Sequence, residues 1–193
     1  MAQLGDQASA DTVAGAVERA DIVVLAVPFG VYADLPADLF AGKTVIDATN
    51  YYPARDGDVP ELLDGSTTSS EVLAGRFAGA DLVKGMNNVD FVRLGVLGRP
   101  AGSSDRTALP IAGDSTEAKR RVTEFLDVVG YDALDLGPLA EGRRSQPGTP
   151  IYVTPYSRTA ANAPEDPMAA FLTAEPVPVP AAEAEALAAL ATR

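Results

Sequence analysis

Side chains that do chemistry by themselves are scarce in this sequence. Histidine and cysteine are both absent. That removes imidazole acid–base catalysis, thiolate nucleophiles, disulfides and the usual zinc sites. Asp47 ends an apolar run, where a phospho-acceptor could stand, but such a site needs an acidic pair on a neighbouring strand and none is visible. Asp47 therefore reads as structural, and Asp11, Asp21 and Asp81 read as cap and turn residues. Lys43 and Lys84 lack the glycine frame of a phosphate-binding P-loop. Gly95, Gly98 and Gly102 have the wrong spacing for a dinucleotide turn and do not lie between a strand and a helix, so they read as loop. One stretch points to chemistry by its position: ADIVVLAVPFG, residues 20–30. It reads as a buried strand delivering a loop at its carboxyl end, and ligands of open α/β sheets bind at that edge. A dinucleotide also needs a glycine-rich turn for its pyrophosphate, and no G-x-G-x-x-G occurs in the sequence.

The elements that would hold such an edge follow from periodicity. Val13, Ala16, Val17 and Ala20 recur at helical spacing, ahead of a first strand over residues 22–27. Residues 31–39 suit a short helix interrupted by Pro36. KTVIDATN, 43–50, is a second buried strand, and the proline, glycine and aspartate content of 51–66 predicts a loop. Thr68 and Glu71 form a capping box before a helix with Val72, Leu73 and Phe77 on its apolar face. DLVKGM, 81–86, is a third strand, 95–107 a loop, and ALPIAGD, 108–114, a fourth strand. Asp114 and Glu117 repeat the capping pattern before a helix whose Ala118, Val122, Phe125, Leu126 and Val129 share a face. DALDLG, 132–137, is a fifth strand. This alternation predicts a mostly parallel sheet with helices on both faces.

From about residue 140 the pattern breaks. RRSQPGTPIYVTPY is an extended segment with Tyr152 and Tyr156 as candidate anchors, PVPVP reads as a stiff linker, and EAEALAALATR as a final helix. The expected division is 1–140 as the α/β domain and 141–193 as extended segment and helix.

At 193 residues and 47% hydrophobic, the chain can bury one substantial core. A net charge of −12 argues against nucleic acid or an anionic membrane as partner. No apolar run approaches the ~20 residues that span a bilayer. The start, MAQLGDQASAD, lacks the basic-then-apolar pattern of a signal peptide, so a cytoplasmic protein is expected.

Taken in order, ADIVVLAVPFG, AGKTVIDATN, the capped helix, DLVKGMNN, LPIAGD and YDALDLGPLAEGRRSQPG resemble the NADP oxidoreductase family related to the NADPH:coenzyme F420 reductases, over about residues 8–155. The resemblance implies a Rossmann-like fold and direct hydride exchange between NADP(H) and a deazaflavin, coenzyme F420, or a similar acceptor. It implies that Val27, Pro28 and Val31 line the nicotinamide ribose side and that Thr49 and Asn50 close the second strand's edge. Asn87, with Phe91 one turn later, would meet the substrate. The structural alternatives are core packing for Val27 and Val31, a turn for Asn50 and a helix cap for Asn87.

Family members usually carry Ala-Phe-Asn or a similar run where this chain has Gly85-Met86-Asn87. They also begin with a strand, a glycine-rich turn and a helix. The chain is therefore expected to be truncated at its front and to bind NADP weakly or not at all. Hydride transfer between stacked rings needs little acid–base help, which suits a chain without histidine or cysteine, and no residue is assigned a catalytic role. The partners implied are a small-molecule cofactor or substrate. A first strand apolar on both faces expects a neighbour on each side, which predicts either a homodimer or segment swap that covers its edge, or a chain that folds poorly and aggregates. The alternative is a non-catalytic remnant that keeps the sheet, binds no dinucleotide and acts through an interface.

Overall fold

A computed structural model describes residues 8–191. Five short strands form one sheet in sequential order: β1 (Ile22–Leu25), β2 (Thr44–Asp47), β3 (Asp81–Lys84), β4 (Ala108–Gly113) and β5 (Asp132–Asp135). The β1–β2, β2–β3 and β4–β5 pairs are parallel, as the alternation predicts, whereas β3 and β4 are antiparallel. The reversal has a local cause. A parallel pair needs a crossover connection, usually a helix. Between β3 and β4 there is only the one-turn helix α5 (Phe91–Leu94) and a loop. The chain re-enters the sheet at the end where β3 left it.

The helices are α1 (Val13–Arg19), α2 (Pro53–Asp56), α3 (Pro60–Leu63), α4 (Ser69–Arg76), α5, α6 (Thr116–Val128), α7 (Pro167–Thr173) and α8 (Ala181–Ala189). The capping box at Thr68 and Glu71 is complete, and Leu73 and Phe77 of that element are fully buried. The second expected cap falls one residue away. Ser115 caps α6 by accepting from the Ala118 amide, while Asp114 accepts from the Leu139 amide at 2.9 Å. Ala118, Val122 and Leu126 face the core, but Val129 ends the helix 40% exposed. The expected loop at 51–66 contains α2 and α3. Both start on proline, whose missing N–H is no loss in a first helical turn. Around Pro36 lie two 3-10 turns, Phe29–Asp34 and Ala37–Phe40, in place of one interrupted helix.

Neighbouring strand residues divide between two apolar clusters, as a period of two requires. Val45 and Leu82 join Val17, Phe29, Phe40, Leu73 and Phe77. Ile46 and Val83 join Leu109, Ile111 and the buried face of α6. Ile151, Tyr156, Val179, Ala184 and Ala188 belong to this second cluster, so the carboxyl-terminal stretch packs on the same core as the strands. The PVPVP stretch is docked rather than a free linker. Val179 is fully buried, its carbonyl accepts from the Ala108 amide at 2.9 Å, and its amide donates to Thr107 Oγ1 at 3.2 Å.

β1 is shorter than the apolar run and lies at the sheet's edge. Its only partner among the described residues is β2, and Val24 is 41% exposed. No helix among the described residues is long and apolar enough to cross a membrane.

Candidate functional site

β2 and β3 end in opposite charges at the same register position, Asp47 beside Lys84. Both side chains are almost fully buried, and Lys84 Nζ lies 3.1 Å from Asp47 Oδ2. A buried ion pair is tolerable only when its remaining donors and acceptors are used, and here both carboxylate oxygens and a second ammonium hydrogen have further partners. Asp47 Oδ1 accepts from the Thr49 amide at 2.9 Å and from its hydroxyl at 2.7 Å. Oδ2 accepts from Ser70 Oγ at 2.6 Å. Lys84 Nζ donates to the Thr49 carbonyl at 2.6 Å. Burial pushes the Lys84 pKa down, with Asp47 pulling it the other way.

Beyond this pair the two strand ends are joined by their asparagines. Asn50 Nδ2 donates to the Asn87 carbonyl at 2.9 Å, and Asn87 Nδ2 donates to Asn50 Oδ1 at 3.1 Å and to the Ser145 carbonyl at 2.8 Å. Ser145 Oγ returns a bond to Asn87 Oδ1 at 3.3 Å. Both amide hydrogens of Asn87 are thus engaged within the protein. Met86, at φ 60°, ends the β3 ladder just before it. The helix-cap alternative for Asn87 falls, because Asp90 caps α5 by accepting from the Val92 and Arg93 amides.

Of the residues singled out from the sequence, Asn50 and Asn87 are bonded to each other, while Thr49, next to Asn50 in the chain, is bonded to Asp47 and Lys84. Val27 is half-buried against the cluster around Phe29, and Pro28 is exposed at the start of the 3-10 turn. Val31, 37% exposed, is not core. Phe91 is 74% exposed, with its ring 6.0 Å from Phe171 of α7.

A second polar group forms the rim. Asp56 Oδ1 accepts from the Gly30 amide at 3.2 Å, and Oδ2 from the Tyr52 amide at 2.9 Å. Arg55 pairs with Asp56 at 2.8 Å, donates to the Asn50 carbonyl at 2.6 Å, and lies 5.0 Å over the Tyr52 ring. The hydroxyls of Tyr52 and Tyr152 meet. Tyr152 is placed by a strained γ-turn: Val153 has φ 56° and ψ −54°, and the Thr154 amide bonds back to the Tyr152 carbonyl at 2.6 Å.

The Arg55 guanidinium, helped by the Tyr52 and Gly30 amides and opposed by burial, pulls the Asp56 carboxyl from the usual 3.8 down to about 2. Its stabilising effect is therefore complete above the usual carboxylate range and lost as pH falls towards 2. Screening of the half-exposed Arg55 holds the loss to about 1 kcal/mol. Thermal melts between pH 5 and 2 are expected to show this slope in the wild type and a flatter one in Asp56→Asn.

Between α4 and the segment after β5 lies a cleft of about 470 Å³, lined among others by Leu62, Thr67, Thr68, Glu71, Arg143 and Gln146. It adjoins a second cleft of about 260 Å³ beside Tyr51 and Pro147. None of the candidate site residues picked from the sequence lines either. Gln146 lines both and donates to Ser69 Oγ at 3.2 Å, one residue from the Ser145 that holds Asn87. Among the described residues no three of His, Cys, Asp or Glu cluster as a metal site.

Thr49 is buried, with its amide, hydroxyl and carbonyl all bonded within the protein, which leaves the half-buried Val27 and Asn50 as the accessible side chains of this strand edge. A diphosphate is not matched. The turn after β1 has its Gly30 amide already taken by the Asp56 carboxylate, so it offers no free donor to a phosphate.

Sequence reasoning missed the Asp47–Lys84 pair, Ser145, Gln146 and the Arg55–Asp56 rim. The pair left a trace: TVID and DLVK are equal apolar runs ending in opposite charges.

The sheet, its flanking helices and the polar group at the strand ends define a Rossmann-like α/β domain. Residues 1–51 match the family described as NADP oxidoreductase, coenzyme F420-dependent, and are similar to it there. It is 31% identical over 143 residues to the metalloreductase STEAP3 of Rattus norvegicus, covering 72% of this chain and 27% of that protein. The chain thus spans about a quarter of that relative's length. The crystal structure of a hypothetical protein from Sinorhizobium meliloti matches with a TM-score of 0.60 at 29% identity, covering 72% of this chain and 67% of that one. That of an F420-dependent NADP-reductase candidate from Arthrobacter sp. FB24 matches with a TM-score of 0.54 at 26% identity, covering 65% and 59%.

Proposed function

We propose that this chain forms the nicotinamide side of an NADP(H)-dependent oxidoreductase site and exchanges hydride with a deazaflavin such as coenzyme F420, or with a similar acceptor. The observation that carries the reading is the bonded Asn50–Asn87 pair just past the carboxyl ends of two adjacent parallel strands, where ligands of such sheets bind. The kinship with NADP oxidoreductases supports it. Bound NADP(H) would supply the hydride. The protein's part is to orient and to exclude water: Val27 and Pro28 offer an apolar wall, and the asparagine pair fixes the rim against which a flat ring rests.

Isothermal titration of the chain with NADPH is expected to give a Kd weaker than about 10 μM, because a diphosphate site normally adds several kcal/mol of charge-assisted bonding. A sub-micromolar Kd overturns this account of the site. Slow F420 reduction at saturating NADPH supports the hydride reading.

Asp56 on the Gly30 amide favours a second reading, a Rossmann-like domain that binds no dinucleotide and acts through an interface. Absence of any NADPH binding at millimolar concentration selects it.

A further inference from the structure

We propose that Lys84 is a positioning residue, whose ammonium group and stem hold the Asn50–Asn87 pair in place from two sides. The inference deepens the proposed function and rests on the reading of that pair as the ring-facing rim.

The first side is the turn after β2. The last backbone bond between the two strand ends runs from the Gly85 amide to the Asp47 carbonyl, at 3.1 Å. Past it, Thr49 is held by side chains. Asp47 takes its amide and hydroxyl, and Lys84 Nζ takes its carbonyl at 2.6 Å. That last bond fixes the peptide that leads into Asn50. A methionine would fill the same buried volume without desolvating a charge, so what the ammonium adds is direction: one bond to Asp47 and one to the Thr49 carbonyl.

The second side is the 3-10 segment Leu139–Ser145, which closes over the lysine stem. Gly142 sits so near that a Cβ added there would meet Lys84 Cγ at 3.1 Å and Cβ at 3.2 Å. The same segment ends at Ser145, whose carbonyl accepts from the Asn87 amide at 2.8 Å and whose hydroxyl is shared between Asn87 Oδ1 at 3.3 Å and the Gly142 carbonyl at 3.1 Å. Both partners of Asn87 therefore lean on one side chain, through its head on the Asn50 side and its stem on the Ser145 side.

The test separates this from a merely structural role. In Asp47→Asn/Lys84→Met both buried charges are gone, and the new amide can still accept from Thr49 and donate to Ser70 Oγ. Only the tie to the Thr49 carbonyl is lost. Hydrogen exchange of the Asn50 and Asn87 side-chain amides is followed by NMR on the whole chain without nucleotide, beside a thermal melt. A cooperative melt with exchange at least ten-fold faster than wild type is the expected result. Wild-type protection in a folded double variant overturns the proposal.

Gly142→Ala is the second arm, since it keeps every charge and lifts only the Ser145 side. Faster exchange of the Asn87 amide is expected, and unchanged exchange there overturns the stem's role. Both readouts need no ligand. Loosened amides together with a wild type that never binds NADPH would sink the functional reading and leave the positioning role standing.

Discussion

Lys84→Met alone is expected to remove about 3–5 kcal/mol of folding stability, a large share of the roughly 5–15 kcal/mol that holds a domain folded. The cost comes from what is left behind. Asp47 is fully buried, and without the ammonium its carboxylate keeps only the Thr49 and Ser70 donors. An uncompensated charge in an apolar interior is far more costly than a missing contact. Asp47→Asn/Lys84→Met removes both charges, and most of the loss is expected to return in it. Urea titration of the two variants beside the wild type checks this. A single variant within 1 kcal/mol of wild type would mean that water reaches the pair and that it is not buried in solution.

In size-exclusion chromatography with light scattering, the chain is expected to run at twice its 19.9 kDa mass or larger. The cause is β1. Its outward row of amides and carbonyls has no strand partner among the described residues, and Val24 lies 41% exposed beside it. An open, apolar edge of this kind recruits another strand. The net charge of −12 opposes association, but screening limits that repulsion to about 10 Å at ordinary salt, so it does not protect an edge already in contact. A homodimer that buries the β1 edge is the proposed outcome. Val24→Lys, which sets a charge on the uncovered face, should shift the species towards monomer. A wild-type monomer with a sharp thermal transition would show that the edge is covered from within the same chain, and the dimer would be abandoned.

Part of the polar group at the strand ends is legible in the sequence. Thr49, Asn50 and Asn87 each follow an apolar run, and strand ends are where such sheets present polar groups, so sequence position sufficed to pick them. Ser145 and the Arg55–Asp56 rim were not readable, because they reach the site through segments whose path depends on what they pack against. Phe91 was picked by its distance from Asn87 in the chain. The structure turns it instead towards Phe171, on α7, which lies some eighty residues further along.

The sequence by itself determined the order of strands and helices, the capping box of Thr68 and Glu71, and the absence of histidine and cysteine chemistry. Those signals are local: a cap spans three residues, a strand alternates every two, and composition needs no fold at all. Only the tertiary structure decided the direction of β4, the docking of Val179, the choice of Ser115 over Asp114 as cap, and the meeting of Asp47 with Lys84. Each of these depends on which distant segment competes for the same hydrogen bond or the same buried surface. Asp114 lost its place as a cap because the Leu139 amide, from the far end of β5, claimed its carboxylate. Asp47 and Lys84 meet because the parallel register of β2 and β3 sets their ends level, and register follows from burying both faces of a sheet rather than from any residue near either charge.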